Sequence, residues 1–163
     1  MNEKSVQVSD PVFKKLNFKN HDDVFVINAP ESFHPHTEAM QAITRVHTAH
    51  DGQQKISFGL IFVKEQEEIK FAAENIIPHL EGDAVFWATY PKKSSKKYTC
   101  NFNRDSGWEP FGEKDLEGVR QVSVDEDWSA LRFRKTQYIQ KITRRESFAL
   151  SQSGKNRTTQ IGK

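Results

Sequence analysis

A chain of 163 residues, 36% apolar and 28% charged, has the size and composition of one globular domain, able to bury roughly 70% of its unfolded surface without a metal or disulfide. No apolar run approaches the roughly 20 residues of a membrane-spanning helix, and a lone cysteine, Cys100, excludes an internal disulfide framework. The net charge of +2 conceals a division: residues 1–131 hold 15 Lys+Arg against 21 Asp+Glu, and residues 132–163 hold 9 against 1.

Met1–Ser5 lacks the apolar core of a secretion signal, which with the single thiol implies a reducing, cytoplasmic setting. Residues 1–11 are polar, run into Asp10-Pro11 and are expected to be flexible. Val12–Leu16 suits a short helical turn. After Asn20-His21-Asp22-Asp23, the run Val24-Phe25-Val26-Ile27 reads as a buried strand closed by Asn28-Ala29-Pro30. Glu31–Ala42 suits a helix with Phe33, Ala39, Met40 and Ile43 on one side; Pro35 delays its regular part. Thr44–His50 alternates weakly and predicts a short strand before the turn Asp51–Gln54.

Ile56–Val63 is the second strong strand. It leads into a helix whose first turns carry Glu65, Glu67 and Glu68, where the helix dipole favours acids. Ile69, Ala72, Ala73, Ile76 and Leu80 form its apolar stripe, and Pro78 stops it. Asp83–Pro91 is a third buried strand, and Lys92-Lys93-Ser94-Ser95-Lys96-Lys97 follows at once. Asn101–Trp108 is turn-rich, and Asp115–Gly118 predicts a helix end at a glycine. Val119–Val124 and Ser129–Arg134 flank Asp125-Glu126-Asp127 as a hairpin. Tyr138–Leu150 suits a helix, and the chain from Ser151 is polar and basic.

Strand, helix, strand, helix, strand, helix and hairpin give an α/β fold. The expected sheet is open and mostly parallel, with about five to six strands, helices on both faces and a C-terminal antiparallel hairpin. The expected divisions are a flexible 1–11, an α/β domain over 12–135, and a basic helix and tail over 136–163.

This order resembles the class I S-adenosylmethionine methyltransferase fold, a Rossmann-like architecture. The strings VFVINAPESF, GLIFVKEQEEI, FWATYPKKSSKK, RDSGWEP and SVDEDWSALRFR are similar to those of a bacterial domain family of unknown function with a shortened methyltransferase-like core. The similarity covers about residues 12–135. That family has no established activity to lend; resemblance to the methyltransferase fold makes S-adenosylmethionine a possible cofactor, but two departures from working methyltransferases speak against it. The turn after the first strand, Asn28-Ala29-Pro30-Glu31, has no glycine where the cofactor needs close backbone approach. Only one short strand fits between the first two strong ones, so half of the usual cofactor-binding unit is missing. Asp51 stands where an acid would hold a ribose, a weak signal by itself.

The lysine run carries the clearest chemistry. Ligands of open α/β sheets settle outside the carboxyl ends of the strands, where ammonium and hydroxyl groups suit phosphate oxygens or a carboxylate. The site expected there comprises Lys92, Lys93, Ser94, Ser95 and Lys96, joined by Asn28 and Lys64 from neighbouring strand ends. It would bind a small anionic ligand or nucleic acid without catalysis; a solvated charged loop is the plain alternative. The 135–163 tail offers charge to an acidic partner or is simply a solvated end.

Other features point less far. Trp87 reads as core; Trp108 and Trp128, beside turns, suit packing first and base stacking second. Arg132-Phe133-Arg134 places two arginines on one side of a strand, as a nucleic-acid surface would. His34, His36, His47 and His50 lack zinc-site spacing, so no metal is expected. Cys100 has no nucleophile motif around it. Gly107–Lys114 mimics a phosphate loop with Glu113 in place of the lysine, and G-x-S-x-G and H-E-x-x-H are absent. Asp125–Asp127 reads as an exposed turn. No catalytic residue is assigned, and a methyltransferase with a degenerate cofactor turn is the alternative.

Overall fold

The computed structural model describes residues 10–102 and 106–139. Helix α1 (Pro11–Lys15) opens on Asp10, whose carboxylate accepts the Val12 and Phe13 amides, satisfying donors that a helix start leaves orphaned. Strand β1 (Asp23–Ile27) follows, then a one-turn 3-10 segment (Glu31–Phe33) running into α2 (His34–Gln41). Pro35 sits in the first turn of α2, where its missing N–H costs nothing. Strand β2 (Arg45–His47) is short, and β3 (Ile56–Phe62) is nearly all buried.

Helix α3 (Gln66–Asn75) begins with a reciprocal capping box between Glu65 and Glu68. Pro78 diverts it into a 3-10 turn (Ile77–His79). Strand β4 (Leu80–Pro91) starts three residues before the apolar run predicts, because Ile56 pairs with Leu80 ahead of a register shift. The helix expected at Asp115–Gly118 is not formed. A four-residue α4 (Glu109–Gly112) comes earlier, and Leu116 already opens β5 (Leu116–Ser123). Gly118 pairs with Phe133, so the glycine that looks like a helix stop lies flat in a ladder, and burial of Leu116 outweighs local turn propensity. Strand β6 (Trp128–Lys135) and a 3-10 turn (Thr136–Tyr138) complete the described chain. The helix expected over Tyr138–Leu150 lies, beyond Ile139, outside the described residues, as does most of the tail.

The six strands are ordered β2-β1-β3-β4-β6-β5. β2, β1, β3 and β4 are parallel; β6 is antiparallel to β4 and to β5. The strand alternation splits the core in two. Val24, Val26, Phe58, Leu60, Phe62, Trp87 and Ala130 face α1 and α2. Phe25, Ile61, Phe86, Ala88, Leu131 and Phe133 face α3 and α4. Both layers must be covered, which is why the central strands read as continuous apolar runs. After β1 the chain builds β2 on one side and β3 on the other, so the order reverses between the carboxyl ends of β1 and β3. Among the described residues, no helix is long and apolar enough to cross a membrane.

Candidate functional site

Proline ends β4 at position 91, and the lysine loop folds back onto the β5–β6 turn. The Lys92 amide donates to Asp127 O at 2.8 Å, and its ammonium donates to Ser123 Oγ at 2.7 Å. The Ser95 hydroxyl donates to Asp127 Oδ1 at 2.8 Å and accepts the Lys97 and Tyr98 amides. Asp125 Oδ1 in turn accepts the Asp127 and Trp128 amides. The acidic turn, expected to be merely exposed, is therefore the brace of the basic loop. Asp127 is the carboxylate of that turn that reaches the loop directly, through the Ser95 hydroxyl.

This folded-back loop walls a cleft of about 810 Å³. Lys92, Lys93, Ser94 and Ser95 form one side, and Tyr98 to Phe102 form another. Tyr90, Gln121 and Ser129 reach it from β4, β5 and β6. Among the described residues that line it, Lys92 and Lys93 are the only charged ones, and no carboxylate joins them. Tyr90 is buried; its hydroxyl accepts from Gln121 Nε2 at 3.1 Å. Its ring meets Trp108 edge-on at 5.7 Å and Phe102 at 6.0 Å. Tyr98 packs on Trp128 at 4.9 Å. Asn101 Oδ1 accepts the Gln66 amide, tying the loop to the start of α3. The Cys100 thiol donates to Phe102 O at 2.9 Å, so it is occupied in holding the loop.

The structure brings together four of the seven residues expected at the site. Lys92, Lys93, Ser94 and Ser95 line the cleft; Lys96, Asn28 and Lys64 do not. Lys96 projects from the exposed part of the loop. Lys64 approaches from behind, its ammonium 5.7 Å from the Tyr98 ring centroid, a cation–π contact. Asn28 is exposed at the carboxyl end of β1 with φ 62°, a left-handed conformation that asparagine tolerates better than most residues. Ser95 spends its hydroxyl on Asp127, so of the two loop serines Ser94 is the one left to a ligand. Tyr90, Asn101 and Gln121 are missed by sequence reasoning. Tyr90 hides inside an apolar strand, and Gln121 reaches the cleft only through the β5–β6 register.

The reversal point between β1 and β3 is where S-adenosylmethionine would sit, and the residues there do not fit it. Its turn carries side chains throughout, and Pro30 has no N–H to offer. Asp51, the ribose candidate, turns its Oδ1 onto the Gln53 and Gln54 amides at 2.8 and 3.0 Å. Those bonds hold its carboxyl below the usual range. His47, at the end of β2, stacks on Phe25 at 4.5 Å and bonds Asp23 at 2.8 Å. Of the other histidines, His36 bonds Asp10, and His50 bonds Gln54 O with its ring 4.5 Å from that of His79. Among the described residues, no three metal-ligating side chains come together.

Trp108 and Trp128, at 0% and 2% exposure, are core residues and not stacking platforms. Phe133 is buried, while Arg132 and Arg134 lie on the other side of β6, half-buried.

No protein-family model matches the chain, and no curated protein is similar to it. Solved structures resembling it include a NADB-Rossmann superfamily protein from Streptococcus agalactiae, at 12% identity over 78% of this chain and 68% of that one, TM-score 0.42. The fibrillarin/Nop5p complex matches at 8% identity over 72% and 74%, TM-score 0.44. The N-methyltransferase NodS from Bradyrhizobium japonicum matches at 16% identity over 82% and 97%, TM-score 0.40. These are likenesses of fold alone. The strand order by itself, with β2, β1, β3 and β4 parallel and β6 and β5 antiparallel at the edge, is that of an open Rossmann-like α/β sheet.

Proposed function

We propose that the cleft beyond β4 binds a small phosphate-bearing ligand and carries out no chemistry of its own. One observation carries this reading. Among the described residues lining a cleft of about 810 Å³, Lys92 and Lys93 supply the charge, beside hydroxyl and amide groups and the rings of Tyr90, Tyr98 and Phe102. Such a lining suits a nucleotide-like molecule: the ammonium groups and the Ser94 hydroxyl meet phosphate oxygens, and the rings offer an apolar wall for a base. Among the described lining residues, no carboxylate or histidine stands ready to move a proton.

The test is a thermal-shift titration with ATP, and with S-adenosylmethionine as comparator. A ligand at 100 times its Kd adds about 2.7 kcal/mol of stability, roughly 5–10 °C for a domain of this size. The Lys92→Glu/Lys93→Glu double variant is expected to fold normally, both residues being at the surface, and to lose the ATP shift. An ATP shift retained in full by the double variant would remove the basis of the proposal. Stabilisation by S-adenosylmethionine, unchanged in that variant, would replace it with a methyltransferase reading.

A further inference from the structure

The β4–β6–β5 ladder sets Trp87, Arg132 and Arg120 side by side on the face toward α1, away from the lysine cleft. Like charges directly opposed on neighbouring strands destabilise a sheet, and Arg132 adds the cost of partial burial. Its Nε is buried without a hydrogen-bond partner, and no ion pair reaches it among the described residues. Two other arginines show what a satisfied guanidinium looks like in this fold. Arg45 holds Asp23 through Nε and Nη2 at 2.8 and 2.9 Å. Arg134 holds Asp83 the same way at 3.1 and 2.7 Å.

The surroundings of Arg132 offer no such relief. β4 contributes Trp87, whose N–H is committed to Leu16 O at 2.8 Å. β5 contributes Arg120, steadied by Asn17 Oδ1 at 3.3 Å. Along β6 itself comes Arg134, which already claims Asp83. The connection from α1 to β1 contributes His21, with Asp22 beside it. For stability alone an apolar residue would serve better at this position than an unpaired half-buried cation.

We propose that Arg132 and Arg120 form a second anion site, one that takes a phosphate oxyanion between their guanidinium groups. Paired planar forks match the geometry of phosphate oxygens, and the incoming charge would relieve the repulsion between the two opposed guanidinium groups. The phosphate could come from a free phosphorylated molecule or from a nucleic-acid backbone; the chemistry of capture is the same. His21 is held below its ordinary pKa first by burial and then by Arg132.

The experiment uses the full chain carrying Lys92→Glu/Lys93→Glu, so that the cleft does not contribute. Calorimetric titrations with inorganic pyrophosphate and with a short single-stranded oligonucleotide are compared with and without Arg132→Met or Arg120→Gln. Each added substitution is expected to weaken binding by roughly tenfold or more, as loss of a charge-assisted contact does. Saturating ligand is expected to raise the His21 pKa in an NMR titration, because the anion offsets Arg132. Binding of pyrophosphate identifies a free phosphate as the source; binding of the oligonucleotide alone, weakening with salt, identifies a nucleic-acid backbone. Failure of both probes to bind would overturn the proposal. So would affinity unchanged in Arg120→Gln, whose exposed position leaves the fold intact if Arg132→Met does not fold, or a His21 pKa that ligand does not move.

Discussion

Trp108 is the residue whose loss the structure prices most clearly. It is fully buried beneath the cleft, with ring centroids of Phe102 at 5.0 Å, Phe133 at 5.2 Å, Tyr90 at 5.7 Å and Phe111 at 5.7 Å. Trp108→Ala removes the indole from the middle of this cage. The neighbours belong to β4, β6, α4 and the loop after β4, so they cannot close the gap together. Truncations of this kind cost roughly 3–5 kcal/mol, a large share of the 5–15 kcal/mol that typically holds a domain folded. At about 2–4 °C per kcal/mol for a chain of this size, the melting temperature should fall by on the order of 6–20 °C. Urea unfolding followed by fluorescence measures it, with Trp87 and Trp128 remaining as buried reporters. Phe71→Ala is the control: Phe71 is 52% exposed, and its loss should change stability by no more than about 0.5 kcal/mol. If Trp108→Ala stayed within about 1 kcal/mol of wild type, the cage could not be the support of the cleft floor that the packing implies.

Gly107 has φ 98°, and a Cβ there would lie 2.5 Å from Phe102 Cβ. Gly107→Ala should therefore destabilise by roughly 1–3 kcal/mol, combining backbone strain with displacement of Phe102; a neutral result in the same urea assay would contradict the placement of that turn. Asp23 is held at about 2, below its ordinary 3.8, by the side-chain bonds from Arg45 and then His47. A depressed carboxyl pKa gives stability that is present above the unfolded value and lost as pH falls from about 4 toward 2. The pair is near the surface, so the effect should stay below about 1 kcal/mol. Asp23→Asn should flatten that part of the curve of urea midpoint against pH, and curves of identical shape would show that the pairing contributes nothing.

The local pattern in the sequence determined the kinds of element and their order. The apolar runs at Val24–Ile27, Ile56–Val63 and Asp83–Pro91 read as strands covered on both sides, and the i, i+3, i+4 stripe from Ile69 as a half-buried helix. Their alternation then forced a mostly parallel sheet, and the acidic turn marked the antiparallel hairpin. It also marked where to look, because a proline stop followed by lysines must lie at a strand's carboxyl end.

What the sequence could not settle were matters of partnership across long separations. Asp115–Gly118 carries the local signature of a helix end, yet pairing with β6 made it strand. Asp127 lies 32 positions from Ser95, and nothing local joins the acidic turn to the lysine loop. The register of β5 on β6 sends Gln121 toward the cleft and sets Arg120 against Arg132; a slip of one residue would have reversed both. Periodicity fixes which side of its own element a side chain takes, but only the assembled sheet decides which charge it meets there.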